Sequence, residues 1–190
     1  EHMRIVMSLT VDVDVTRLIR FTRQSGLNFY GVMVWTVSKV VNAHDEFKYG
    51  WSKGGDLIRW EVISPSYVHF HPEDQRFTKL FTPFSPDLAS FHAQFLADKE
   101  AYRDRRDILP GQAPNFFDVS CLPWVRYRHC DLHVFDDGRF LAPVVTWGKY
   151  EEEQGRWSMP LTMNLHHAVA DGFHLCRFFQ ETQELIDTLA

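Results

Sequence analysis

Two adjacent histidines, His166 and His167, open the segment His-His-Ala-Val-Ala-Asp-Gly that closes at Gly172. A free imidazole has a pKa of about 6.5, so its unprotonated nitrogen can take the proton of a hydroxyl as that hydroxyl attacks a carbonyl. Imidazole is also a common metal ligand. A metal centre, however, needs three or more donors at workable spacing. The sequence has no HExxH run and no second His/Asp cluster, and His129, His133 and His174 could join only through the fold. No metal site is expected. A structural histidine at a strand end is the plainest alternative to a catalytic one, and the pair alone leaves both open.

The elements around the pair give it a rigid support. Met159, Leu161, Met163 and Leu165 alternate along 157–165 and predict a strand that runs straight into the histidines. A last helix is expected from about Gly172 to Leu189, with Leu175, Phe179, Ile186 and Leu189 near one stripe. The histidines therefore fall on a strand-to-helix turn, where side chains can face a cleft.

Upstream, 8–15 alternates as a strand, and Thr16 reads as the N-cap of a short helix closed by Gly26. Residues 32–43 are apolar nearly all round and predict a buried helix. Strands are expected at 56–62, 66–71, 117–121, 131–135 and 141–148. The segment 85–103 predicts an amphipathic helix with Ser85 as cap and Pro86 in its first turn, and Pro110, Gly111 and Pro114 make 107–115 a loop. Strands interleaved with helices argue for a layered α/β fold.

A chain of 190 residues suits one domain, and 45% hydrophobic residues can fill its core. The formal net charge of -5, with acids and bases mixed, gives no footprint for nucleic acid or anionic lipid. No apolar run approaches the roughly 18–20 residues of a membrane span, and the first ten residues do not read as a signal peptide. Cys121, Cys130 and Cys176 lack CxxC spacing, so reduced thiols in a cytoplasmic protein are expected. The 16 Phe, 6 Trp and 6 Tyr exceed what one small core requires and fit a surface buried between subunits.

The run His166–His174, HHAVADGFH, closely resembles the signature of chloramphenicol acetyltransferases. The wider HxxxDG pattern belongs to a superfamily that also holds the acyltransferase cores of 2-oxoacid dehydrogenases. Ser120–Trp124, Ala142–Thr146 and Lys149-Tyr150 are similar to family segments in the same order, and the likeness runs from Ser8 to Ala190 with few gaps. The resemblance implies a two-layer α/β sandwich with a mixed sheet, as a single acyltransferase domain over 1–190. It also implies acetyl transfer from acetyl-CoA, a cosubstrate and not a permanently bound cofactor, to the primary hydroxyl of chloramphenicol. Another small hydroxylated acceptor is the alternative. A lipoyl-arm transferase would want a lipoyl module that the sequence does not contain, and the intact motif argues against a non-catalytic binding protein.

The same resemblance assigns roles. His167 is the general base, Ser120 donates to the oxyanion, and Asp171 is structural, pairing with an arginine. Thr146 positions the intermediate through water, while Phe77 and Leu132 line the acceptor pocket. Tyr30, Lys149 and Tyr150 lie near the coenzyme A nucleotide, Trp124 borders the pantetheine tunnel, and Gly172 permits a tight turn. The assembly implied is a homotrimer with active sites between subunits. There are departures. On this resemblance the family's N-terminal helix, with its arginine and aromatic wall, is expected to be missing, leaving Arg4 as a stand-in. Asp118 stands where asparagine is usual, Cys130 where an aromatic is common, and Asn28 where a lysine meets the coenzyme phosphate.

Overall fold

The structure, a computed structural model, describes residues 4–107, 113–132, 134, 136 and 138–189. The strands in chain order are β1 (Val6–Asp14), β2 (Tyr49–Trp51), β3 (Leu57–Arg59), β4 (Ser64–His71), β5 (Arg76–Phe81), β6 (Phe116–Leu122), β7 (Val144–Gly148), β8 (Glu151–Glu153) and β9 (Arg156–His166). The helices are α1 (Thr16–Ser25), α2 (Phe29–Ala43), α3 (Leu88–Ala101) and α4 (Gly172–Thr188).

One sheet runs in the order β1-β9-β7-β6-β4-β5, with β8 hairpinned onto β9 and β2-β3 forming a separate ribbon. The β4–β6 and β6–β7 pairs are parallel and the rest antiparallel, so the sheet is mixed as expected. A crossover must return the chain between parallel strands. Between β4 and β6 that crossover carries α3.

Register separates the two faces. Tyr67, Val119, Val145, Met163 and Leu9 lie abreast across five strands and point into the core. Residues of all four helices belong to that same cluster, which makes the two layers. Helix α2 lies at its centre, with Val32, Met33, Val34, Val37 and Val41 inaccessible to solvent. On the opposite face a row of hydroxyls, Ser120, Thr146, Thr162 and Thr10, lies abreast across β6, β7, β9 and β1.

Several boundaries differ from expectation. Thr16 is the first helical residue and not the cap. Its amide donates to the Asp14 carboxylate, and its hydroxyl accepts from the Trp157 amide. Helix α2 begins three residues early because the Asn28 side chain caps it, accepting from the Gly31 amide. Asp87, not Ser85, caps α3, since its carboxylate reaches the Ser90 amide at 2.8 Å. Residues 131, 132 and 134 are not in a strand, while 133 and 135 lie outside the described residues, as does much of the loop at 107–115. Strand β5, which carries Phe77, was not expected. Its burial pattern is mixed and its inward residues are Thr78 and Leu80.

Candidate active site

Strand β9 delivers the histidine pair, and local hydrogen bonds fix what each ring can do. The His167 amide donates to the Ile5 carbonyl at 2.8 Å, tying the turn to β1. Its Nδ1 lies 2.9 Å from the Ala170 carbonyl oxygen. A carbonyl can only accept, so Nδ1 carries the proton and the neutral ring keeps a free lone pair on Nε2. That is the tautomer a general base needs. The ring is exposed. His166 differs on each count. It is buried, and its Nδ1 accepts the Ala168 amide, which leaves the proton on Nε2. His167 can accept where His166 can only donate.

Asp171 starts α4. Its carboxylate accepts from the Phe173 amide at 3.0 Å, and its own amide donates to His174 Nδ1 at 3.1 Å, closing a capping box. Burial pushes this carboxyl up, but the hydrogen bonds from His174 and Phe173 outweigh it and hold the group below its ordinary range. The residue shapes the turn and does not touch the His167 ring, whose Nδ1 partner is Ala170. Gly172 is not forced by close approach. Its φ is not positive, and an added Cβ would meet only Met7 at 3.7 Å.

Ser120 sits half-buried in β6, and its hydroxyl has no hydrogen-bond partner among the described residues. The Thr146 hydroxyl beside it is buried and likewise unpartnered. The segment after β6 crosses this face. Tyr127, which no sequence pattern singled out, donates to the Thr146 carbonyl at 2.8 Å and accepts from Thr162 at 3.0 Å. The neighbouring Cys121 thiol faces the core, and burial pushes it up to about 12, so it is no nucleophile.

The remaining candidates are spread over the surface. Phe77 is 53% exposed on edge strand β5, Trp124 is 63% exposed with its ring edge-on to Phe70, and Leu132 is 41% exposed. Leu132 lines a cavity of about 160 Å³ with Val144, Asn164 and His166, and Phe77 does not. Tyr150 packs its ring on Phe29 and Trp157, and the Lys149 ammonium lies 3.7 Å from Glu151. Tyr30 is turned inward. Its hydroxyl donates to the Val68 carbonyl, and its ring meets Tyr67, Phe95 and Trp147.

One chain does not bring His167 and Ser120 together. Ser120 is abreast of Thr146 and Thr162, two strands across, and His166 lies four residues further along β9. Strand spacing and rise put the Ser120 and His166 backbones roughly 16 Å apart, and His167 lies one residue beyond. An imidazole and a serine hydroxyl cannot span that to meet at one reacting carbonyl, which must lie about 3 Å from both.

The chain matches the family described as chloramphenicol acetyltransferase over residues 1–183. A chloramphenicol acetyltransferase of Streptomyces acrimycini is 39% identical over 184 residues, covering 94% of this chain and 82% of that protein. Chloramphenicol acetyltransferase 3 of Escherichia coli is 36% identical over 183 residues, with coverage of 95% and 85%. A solved chloramphenicol acetyltransferase shares the fold at a TM-score of 0.81 and 19% identity, over 95% of this chain and 88% of that one.

Proposed function

The chain belongs to the chloramphenicol acetyltransferase family and is an acyltransferase, and on that premise we propose that it moves an acetyl group from acetyl-CoA to the primary hydroxyl of chloramphenicol with His167 as general base. The observation that carries this reading is the His167–Ala170 hydrogen bond, which leaves Nε2 unprotonated on an exposed ring. Nε2 takes the hydroxyl proton while the oxygen attacks the thioester carbonyl. The tetrahedral oxyanion accepts a hydrogen bond from the unpartnered Ser120 hydroxyl, a contribution worth about 3–4 kcal/mol at such sites. Collapse expels the coenzyme A thiolate, which recovers the proton from the imidazolium. The unpartnered Thr146 hydroxyl holds a water against the intermediate.

The separation of more than about 16 Å between His167 and Ser120 supports a site shared between copies. We propose a homotrimer, in which His167 of one copy faces Ser120 of the next. The exposed side chains of Phe77, Leu132 and Phe173 supply apolar area for such contacts. Trp124 and Tyr150 offer ring faces to acetyl-CoA and Lys149 a charge to its phosphates, whereas Tyr30 has little left to offer beyond a ring edge. Among the described residues no helix is long and apolar enough to cross a membrane, which fits a reaction between small dissolved molecules in the cytoplasm.

The test is release of free thiol from acetyl-CoA by the purified protein. Release that begins only when chloramphenicol is added, with the drug recovered as its acetyl ester, is expected. Release with a different hydroxylated acceptor and none with chloramphenicol would move the assignment to that acceptor.

A further inference from the structure

The cavity beside the hydroxyl row holds two polar side chains that the mechanism does not use. Asn164 is 2% exposed and His166 8%, and both line it. Among the described residues neither amide atom of Asn164 has a hydrogen-bond partner, and neither does His166 Nε2. Buried polar groups are nearly always satisfied, so three orphan atoms two residues apart on one strand face need an explanation. The tautomer of His166 makes its Nε2 a donor, because Nδ1 already accepts the Ala168 amide. The Asn164 amide nitrogen is a second donor. Arg4 and Asp136 also line the cavity, and the other lining residues are apolar, including Leu132, Val134, Phe140 and Val144. A pocket with apolar sides and donors at its base suits a flat ring tipped with an accepting group.

Register sets the distance. Asn164 is abreast of Val144 and Asp118, two residues along from the Thr146–Ser120 row. That is roughly 12 Å from Ser120, too far for the reacting hydroxyl and suited to the opposite end of an acceptor. Resting on the acceptor proposed above, we infer that His166 Nε2–H and the Asn164 amide nitrogen bind the accepting group remote from the reacting hydroxyl, which on chloramphenicol is the nitro group.

Calorimetric titration without acetyl-CoA tests this with two ligands, chloramphenicol and its analogue carrying a plain phenyl ring. Wild type is expected to prefer the nitro compound by about tenfold, the effect of one or two hydrogen bonds to buried donors. Asn164→Leu, of similar shape, and His166→Asn, whose side-chain oxygen can still accept the Ala168 amide, should each lose most of that preference while binding the phenyl analogue as wild type does. The melting temperature of unliganded Asn164→Leu should equal or exceed wild type, because unsatisfied polar atoms are removed. Equal affinity of wild type for both ligands, or equal weakening of both in the variants, would overturn the inference. So would a drop in melting temperature with the nitro preference intact, which would assign Asn164 to a contact within or between copies of the chain. Absence of binding to either ligand would instead remove the acceptor assignment on which it rests.

Discussion

At the scale of single residues, the site depends on which polar atoms are spoken for and which are free. His167 spends Nδ1 on Ala170 and keeps Nε2, His166 does the reverse, and Ser120 keeps its whole hydroxyl. Ser120→Ala should therefore lower kcat by about 10²–10³-fold with little change in the KM for acetyl-CoA, because the oxyanion donation proposed for it acts on the transition state. Steady-state kinetics decide this, and a change confined to KM would make Ser120 a ground-state contact. A second residue, outside the proposed site, bears on acid behaviour. Burial above all, then the charges of Lys99, His71 and Arg106, pulls His69 from 6.5 down to about 4. The folded state thus disfavours the proton that the unfolded chain accepts below 6.5. Stability is present above that pH and is lost as pH falls toward 4. His69→Gln should flatten the fall of melting temperature across this interval, and an unchanged profile would show that His69 does not drive it. The signature around His167 was readable from the sequence. Whether Ser120 was satisfied within its strand was not, because partnering is a property of the fold.

At the scale of elements, the strand that delivers the histidines was legible because its alternation is strict. Met159, Leu161, Met163 and Leu165 are all buried against the helices. The polar face of the same strand carried a signal too, in Thr162 and Asn164, but its meaning required the register with β7 and β1. Strand β5 was illegible because an edge strand with Thr inside and Phe outside inverts the usual pattern. Caps are ambiguous where several candidates stand together: Ser85 and Asp87 both precede α3, and only the geometry of the Ser90 amide chooses. Glycines divide in the same way. Gly172, within the motif, has room for a methyl group. Gly148, which drew no notice, does not, because an added Cβ would lie 2.8 Å from Pro160 and 2.9 Å from the Val125 carbonyl oxygen. Gly148 is where β7 passes beneath the segment that carries Tyr127. Gly148→Ala should cost about 1–3 kcal/mol by overpacking, while Gly172→Ala should leave stability within about 0.5 kcal/mol or improve it. Denaturant melts of the two variants test this, and equal costs would mean the close approach at Gly148 relaxes freely.

At the scale of the whole molecule, one chain contains the groups proposed to carry the reaction and holds them too far apart to act together. His167 lies past the end of β9, Ser120 in the middle of β6, and Phe77 on the far edge strand. The cyclic assembly proposed above would resolve this without moving any element, since each copy would offer its histidine to one neighbour and its hydroxyl row to the other. The aromatic-rich composition hinted at such an interface, but the separation that supports it became visible only with the sheet order. The decisive measurement mixes two crippled variants. Alone, His167→Ala should lose at least about 10³-fold in kcat and Ser120→Ala about 10²–10³-fold, both with native melting temperatures. After equal amounts are unfolded and refolded together, about a quarter of the interfaces in random trimers pair an intact His167 with an intact Ser120. Chloramphenicol-dependent thiol release should then return to about a quarter of the wild-type rate. A rate that stays at the average of the two variants, despite demonstrated subunit exchange, would contradict a site shared between His167 of one copy and Ser120 of the next.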